Sequence, residues 1–204
     1  MSKEIEYETK QKTLKVQEGA EAYVTEQRFT YEDYCTWPDD ERWELINGIP
    51  FKLEAPSRTH QRILIELTVL FKNHLKNALC ELYIAPFDVR LNVGEGKDTV
   101  VQPDLLVVCD DNKLDERGVK GVPDLIIEIS SPSTRKRDQT VKRDLYLQYG
   151  AREYWIVDLL HQNVVAHILN TCKTYDVTTY QGQDKVKSTV LTGFELDLEE
   201  LFKD

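Results

Sequence analysis

The chain has 204 residues, of which 41% are hydrophobic and 30% charged, and its formal net charge is −10 at pH 7. This composition is typical of a folded globular protein and excludes a disordered chain, and the acidic charge argues against a protein that binds long DNA nonspecifically. The sequence contains no apolar run long enough to cross a bilayer and no signal-peptide core at its start, so we expect a cytoplasmic protein.

The N-terminal part predicts an extension followed by one domain. Residues 1–27 are polar and mixed in charge, and we interpret them as an extension ahead of a single domain over residues 28–204. Thr30, with an acid three residues later, predicts the start of a short helix over residues 31–37. Next, Asn47-Gly48 stands between two apolar runs, which is the pattern of a β-hairpin whose first strand carries Glu44.

A long helix is predicted after Ser57, a good N-cap residue. Its apolar stripe has helical spacing and consists of Ile63, Leu67, Leu70, Phe71, Leu75, Ala78 and Leu79. Two β-type runs follow, over residues 81–85 and 87–93. The four cysteines, at positions 35, 80, 109 and 172, form no CxxC pair, so we expect reduced, mostly buried thiols rather than a zinc site or disulfides.

Two further apolar β-type runs carry acids where a buried strand normally has none. Asp104 stands directly before residues 105–108, and Glu128 lies within residues 125–129. Buried carboxylates are normally paired or bound to a cation. If the two strands are neighbours, both acids can bind one Mg²⁺ or Mn²⁺, which would polarise a phosphoryl group. Without metal the acids would repel each other, so Glu128→Ala could even stabilise the fold.

Structural explanations exist for the same acids. Asp104 could cap a turn, and Glu128 could form an ion pair with Lys142 or Arg135. Asp124 resembles a second acid of the same kind, but its position ahead of the apolar run favours a structural role at the start of the strand.

A basic helix is predicted from Ser133 or Thr134 to Gly150, a good helix terminator. Five cations fall within residues 135–143. They suit a polyanionic substrate, although a solvated helix face would look the same. Within this helix, Arg135 is expected to contact substrate, and Lys142 could reach back over the strand end to position water or stabilise developing charge.

The remaining sequence predicts strands over residues 153–158, 164–169, 175–181 and 185–191 and a short helix near the end, capped by Asp197. Helices and strands are interleaved without an internal repeat. The fold class is therefore α/β or α+β with a mixed sheet.

Several of these segments resemble the Uma-two family of restriction-endonuclease-like proteins, within the PD-(D/E)XK nuclease superfamily. The segments are WELINGIPFKLEAPS, QPD at 102–104, PDLIIEISSPST at 123–134 and EYWIVD at 153–158. The resemblance covers roughly residues 28–200. It implies a restriction-endonuclease-like mixed β-sheet core flanked by helices, with added N-terminal and C-terminal hairpins, and it suggests a homodimer.

The resemblance also implies roles for single residues. Asp104 and Glu128 match the two acids of the superfamily, Glu44 an additional acid, and His60 an accessory group that contacts substrate. Ser130 stands where the superfamily has its lysine and is expected near the substrate, and Lys142 matches the lysine that the family is thought to carry on the next helix.

These patterns predict a Mg²⁺- or Mn²⁺-dependent nuclease that hydrolyses DNA. Two alternatives remain open. One is a catalytically degenerate binding protein with the nuclease fold, which Ser130 and the acidic charge favour. The other is a phosphoesterase for small phosphoesters.

Overall fold

The structure, a computed structural model, describes residues 28–38, 40–94, 98–132 and 134–203 with their side chains, and residues 4–9 and 12–17 as backbone. The chain divides into two compact units. The first comprises Met1–Glu54 and Arg90–Val101, and the second comprises Ala55–Val89 and Gln102–Asp204.

The strands, in chain order, are β1 Glu4–Thr9, β2 Lys12–Gln17, β3 Trp43–Ile46, β4 Ile49–Lys52, β5 Glu81–Ile84, β6 Val89–Asn92, β7 Thr99–Val101, β8 Leu105–Val108, β9 Leu114–Asp115, β10 Gly118–Lys120, β11 Leu125–Ser130, β12 Glu153–Asp158, β13 Asn163–Leu169, β14 Tyr175–Gln181, β15 Lys185–Lys187 and β16 Glu195–Asp197. The α-helices are α1 Tyr31–Tyr34, α2 Arg58–His74, α3 Arg135–Arg137, α4 Arg143–Gln148 and α5 Leu198–Phe202. A π-helical segment, Asp138–Lys142, joins α3 to α4, and short 3₁₀ turns cover Leu75–Asn77 and Asp111–Lys113.

The first unit contains two hairpins and a short helix. β1 and β2 pair antiparallel within the predicted extension. Thr30 and Asp33 form the predicted capping box at the start of α1. The predicted hairpin of β3 and β4 turns at Asn47 and Gly48, whose φ angles of 51° and 76° suit this residue pair.

The four strands β4, β3, β7 and β6 lie side by side in that order. Aromatic and aliphatic side chains form the core of this unit, namely Phe29, Trp37, Trp43, Leu45 and Val100.

The second unit is built on a six-stranded mixed sheet in the order β14-β13-β12-β11-β8-β5. β11 and β12 run parallel, whereas the other neighbours pair antiparallel. The predicted long helix is α2, which Ser57 caps by accepting the His60 N–H. Its buried side chains Ile63, Leu67 and Phe71 belong to the same core cluster as Leu125 and Ile127 of β11.

The helix predicted after β11 runs over residues 135–148 as α3, the π-helical segment and α4. It begins directly after Thr134, and Gly150, with φ of 77°, follows its end as expected. Ser133, the other predicted start, lies outside the described residues. Asp197 caps α5 through the Glu200 N–H, also as predicted. The mixed sheets with flanking helices confirm the predicted fold class, and no helix in the described ranges is long and apolar enough to span a membrane.

Several element boundaries differ from the sequence-based expectation. The long helix ends at His74. Leu70 and Leu79, which belong to the predicted apolar stripe, are 42% and 92% exposed, because they do not face the sheet. The predicted loop at residues 110–121 contains the small hairpin of β9 and β10. The strand predicted to start at residue 87 starts at Val89, and the one over residues 185–191 is only three residues long.

The expectation of four reduced, mostly buried cysteines is wrong. Cys80 and Cys109 form a disulfide, and Cys35 and Cys172 are exposed. β5 pairs with β8 so that Glu81 stands opposite Val108, which brings the two adjoining cysteines face to face. Strand register is a tertiary property, so cysteine spacing alone could not predict this pair.

Candidate active site

The two predicted acids lie opposite each other on neighbouring strands. β8 and β11 are antiparallel, with Leu105 opposite Ile127, and one step further this register sets Asp104 opposite Glu128. Directly opposite residues of an antiparallel pair project from the same face of the sheet. The predicted condition for convergence, that the two strands are neighbours, is therefore met.

Asp104 is held by two donors. Its Oδ2 accepts the Ile129 N–H at 2.8 Å, so the carboxylate continues the strand pairing where the backbone ladder stops. His60, in the first turn of α2, places its Nε2 3.2 Å from the same oxygen. His60 is only 8% exposed, so it is not a surface residue. Within the described part of the chain, both contacts to the Asp104 carboxylate involve Oδ2.

Glu128 is held by the helix that follows its own strand. Its Oε1 accepts hydrogen bonds from Lys142 Nζ at 2.7 Å and from the Tyr146 hydroxyl at 2.9 Å. Glu128 is 4% exposed and Lys142 2%. Such a charge-assisted bond is short and strong, and pairing offsets much of the cost of burying both charges.

The π-helical segment brings a second contact to the same strand face. Asp138 begins this segment, and its Oδ2 accepts the Ser130 hydroxyl at 2.7 Å. Its backbone carbonyl accepts the Tyr154 hydroxyl at 3.1 Å. Ser130 and Glu128 are two residues apart along β11, so their side chains lie on the same face of the sheet. The helix contacts both of them, through Asp138 and Lys142, which are four residues apart.

Burial is the main cause of the pKa shifts of Asp138 and Tyr154. It raises the pKa of Asp138, while the Lys142 charge and the Ser130 hydrogen bond oppose the rise. Burial also raises the pKa of Tyr154 well above its ordinary value, with a further contribution from Glu128. Tyr154 therefore stays a protonated donor.

The other predicted site residues have different surroundings. Arg135 Nε lies 2.8 Å from Asp158 Oδ2, and the Arg135 side chain is 38% exposed. Ser130 is 1% exposed and donates its hydroxyl to Asp138. Glu44, on β3 of the first unit, is completely buried and is therefore not an ordinary solvent-facing acid. The site described above consists of residues of the second unit.

Asp124 has the structural surroundings that its position predicted. Its Oδ2 accepts the Cys109 N–H at 2.9 Å, and its Oδ1 lies 3.3 Å from Arg152 Nη1. These contacts fix the start of β11 beside the end of β8.

Two partners of the site were not predicted as site residues, Tyr146 on Glu128 and Asp138 on Ser130. A signal for them exists in the sequence, because Asp138, Lys142 and Tyr146 follow one another at intervals of four residues. Such spacing marks one helix face. Tyr146 by itself gives a weaker signal, because aromatic side chains are usually packing residues.

The donor set fits a hard divalent cation. Among the described residues no group of three or more His, Cys, Asp or Glu side chains is arranged to hold a metal. Mg²⁺, however, commonly uses one or two protein carboxylates and completes its shell with water and substrate oxygens. Asp104 and Glu128 provide those two carboxylates, and the contacts at Asp104 Oδ2 leave Oδ1 for a ligand.

Comparison with known proteins places this architecture among restriction-endonuclease-like nuclease folds. A crystal structure described as a putative nuclease belonging to DUF820, from Anabaena variabilis, superimposes with a TM-score of 0.70 at 17% identity, covering 85% of this chain and 97% of that one. Residues 31–199 match the family Uma2, described as "Putative restriction endonuclease", and the chain belongs to that family. An uncharacterized protein of Synechocystis sp. is 26% identical over 159 residues, which are 76% of this chain and 82% of that protein.

Proposed function

We propose that this protein is a nuclease that hydrolyses DNA phosphodiester bonds with the help of Mg²⁺ or Mn²⁺. The observation that carries the proposal is the pairing of Asp104 and Glu128 across two neighbouring strands, with Lys142 Nζ 2.7 Å from Glu128. Two carboxylates on one sheet face, with a helix-borne lysine in contact with one of them, suit a reaction that creates negative charge on a phosphate. Membership of a family described as restriction endonucleases supports the same class of substrate.

In this proposal Asp104 and Glu128 hold the cation. When bound, the cation supplies Lewis-acid polarisation of the phosphate and lowers the pKa of a bound water. His60 and the Ile129 N–H fix the Asp104 carboxylate through Oδ2 and thereby orient Oδ1. Tyr146 does the same for Glu128 by donating to Oε1.

Lys142 is the electrostatic and water-orienting residue. Its ammonium group stays close to the site because it donates to Glu128, and in this proposal its positive charge stabilises the negative charge that develops on the phosphate. Ser130 donates its hydroxyl to Asp138, which begins the helical segment that carries Lys142. Glu44, the additional acid that the resemblance implies, is buried on β3 of the first unit, and its catalytic role stays a prediction.

The second candidate is a nucleic-acid-binding protein that has lost the reaction. The specific observation in its favour is that Lys142 already neutralises Glu128 and that no cluster of three metal-binding side chains is found among the described residues. The two candidates differ in whether the protein binds a divalent cation and cleaves.

Glu128→Gln is the variant that tests the proposal. Glutamine keeps the volume of the side chain and an oxygen that accepts from Lys142 and Tyr146, whereas alanine would leave Lys142 buried without its partner, at a cost of about 3–5 kcal/mol. Supercoiled and single-stranded DNA are incubated with wild type and variant in Mg²⁺, Mn²⁺ or EDTA. We expect metal-dependent cleavage by wild type and at least a hundredfold slower cleavage by the variant, of the order seen for loss of a catalytic group.

Glu116→Gln, which removes the same charge from an exposed position, is the matched control and should cleave like wild type. Equal rates for Glu128→Gln and wild type would disprove the assignment. If wild type cleaves nothing, calorimetry with Mn²⁺ distinguishes the two candidates, because the degenerate protein should show no affinity in the millimolar range.

A further inference from the structure

A second cluster of charged side chains surrounds Asp158 at the end of β12. Asp158 is 2% exposed, and its Oδ1 accepts the N–H groups of Leu160 and His161 at 3.0 and 3.1 Å. Its Oδ2 lies 2.8 Å from Arg135 Nε and 3.0 Å from His161 Nδ1. One buried carboxylate thus holds an arginine and a histidine that come from different segments of the chain.

The cluster lies next to the candidate active site. β11 and β12 are parallel, and their register sets Ser130 beside Asp158, so both strands end at the same edge of the sheet. Ser130 follows Glu128 by two residues on the same face, a distance of about 6.6 Å along the strand. The carboxyl ends of parallel strands are where ligands of open α/β sheets commonly bind.

Both held side chains present further nitrogen atoms outward. The Arg135 side chain is 38% exposed and that of His161 45%, although Asp158 is buried. Arg135 contacts Asp158 through Nε, and within the described part of the chain Nη1 and Nη2 have no partner. The same holds for Nε2 of His161. The contact with Asp158 is an ion pair rather than an aligned hydrogen bond at Nε. It restrains the guanidinium group, so less side-chain entropy is lost when the group binds a tetrahedral oxyanion.

We propose that Arg135 and His161 form a phosphate subsite, which Asp158 positions. This inference rests on the proposed function, since the ligand is the phosphodiester next to the scissile one in a DNA strand. Arg135 and His161 contact the ligand, and Asp158 is a positioning residue that acts through them. The subsite would give a protein of net charge −10 a local contact for a polyanion, because Arg135 and His161 lie together at one end of the sheet.

The subsite is tested by binding in EDTA, which makes the readout independent of cleavage. A fluorescent single-stranded oligonucleotide is titrated with the full chain over a series of salt concentrations. For Arg135→Ala we expect affinity about tenfold lower and a salt dependence reduced by about 0.7 in the slope of log K against log salt, the loss of one phosphate contact on a single strand. His161→Ala should also weaken binding.

Two further variants separate a subsite from a general effect of charge. Lys136→Ala removes one positive charge from the exposed neighbour of Arg135 and should change affinity less than twofold. Asp158→Asn removes a negative charge, so simple electrostatics would strengthen DNA binding. The subsite instead predicts weaker binding, because Arg135 and His161 lose the carboxylate that positions them. Thermal unfolding confirms that each variant is folded.

Equal effects of Arg135→Ala and Lys136→Ala, tighter binding by Asp158→Asn, or no binding by wild type would each overturn the subsite. The proposed function fails independently. If wild type binds as expected but never cleaves with Mg²⁺ or Mn²⁺, the subsite is supported and the nuclease assignment is wrong. If wild type cleaves but Arg135→Ala binds like wild type, the nuclease assignment is supported and the subsite is wrong.

Discussion

Asp138 shows how one residue can contribute to both the fold and the site. Its carboxylate is buried beside Lys142 and accepts the Ser130 hydroxyl, yet burial is the larger influence and raises its pKa. The folded protein therefore keeps a proton on Asp138 in a pH range where the unfolded chain has already lost it. The contribution of Asp138 to the free energy of unfolding is greatest below that pH range and falls as the pH rises through it.

The predicted consequence concerns Asp138→Asn, which cannot titrate. The unfolding free energy of wild type minus that of the variant should decrease as the pH is raised from about 4, the ordinary value for aspartate, towards neutrality. Urea denaturation at a series of pH values measures this difference. Asp144→Asn, which removes an exposed acid from the same helix, is the charge-matched control. A difference that stays constant or increases with pH would contradict the assignment.

The Glu128–Lys142 pair revises one expectation at the residue scale. From the sequence, removal of Glu128 could relieve repulsion between carboxylates and stabilise the fold. In the structure Lys142 lies on Glu128 at 2.7 Å, and both are almost completely buried. We therefore expect Glu128→Ala to destabilise the protein, since an uncompensated buried ammonium group is costly.

At the scale of elements, the π-helical segment Asp138–Lys142 determines which side chains face β11. A π turn holds more residues than an α turn, and such segments frequently occur at functional sites. Here it allows Asp138 to contact Ser130 while Lys142 contacts Glu128. If the same residues formed an uninterrupted α-helix, the side chains after Lys142 would be rotated about the helix axis relative to those before Asp138.

At the scale of elements, the disulfide is a second feature that stabilises the fold. Cys80 and Cys109 link β5 to β8, the strand that directly follows Asp104, and are 29 residues apart in sequence. Closing a loop of that length in the unfolded chain is expected to stabilise the fold by about 3–4 kcal/mol. Dithiothreitol should therefore lower the unfolding temperature markedly.

The control for the disulfide is the pair of exposed cysteines. A variant with Cys35→Ser and Cys172→Ser should unfold like wild type and show the same response to dithiothreitol. Alkylation of native, unreduced wild type should label two thiols, followed by four after reduction. Labelling of all four without reductant would contradict the bond.

At the scale of the whole molecule, β14 is the element that favours a homodimer. It ends the six-stranded sheet, pairs with β13 on one side and exposes most of its seven residues, including Val177 at 56%. Exposed strand edges tend to be covered by another strand. We predict a homodimer that pairs through this edge, with a mass by light scattering twice that of one chain.

Val177→Asp should shift this dimer to monomers, because a two-fold axis brings the two new charges together. Val69→Asp makes the same substitution at a site 50% exposed on α2 and should leave the dimer intact. A monomeric wild type, or dissociation by the α2 variant alone, would contradict pairing through β14.

The sequence by itself determined the elements whose signals are local. The Thr30 capping box, the Asn47-Gly48 turn and the Ser57 cap depend on backbone groups within a few residues. The alternation of β11 also placed Leu125, Ile127 and Ile129 in the core and left Glu128 on the opposite face. The resemblance to the family extended these signals to the fold, which the structural comparison supports.

Only the tertiary structure decided which distant residues meet. Asp104 and Glu128 lie opposite each other because of strand register, and the same kind of register brings Cys80 to Cys109. The π turn at Asp138–Lys142 and the meeting of Arg135 with His161 on Asp158 also have no local signal. The physical reason is that register and helix rotation are set by packing across the whole sheet, whereas caps and turns are set by their own backbone.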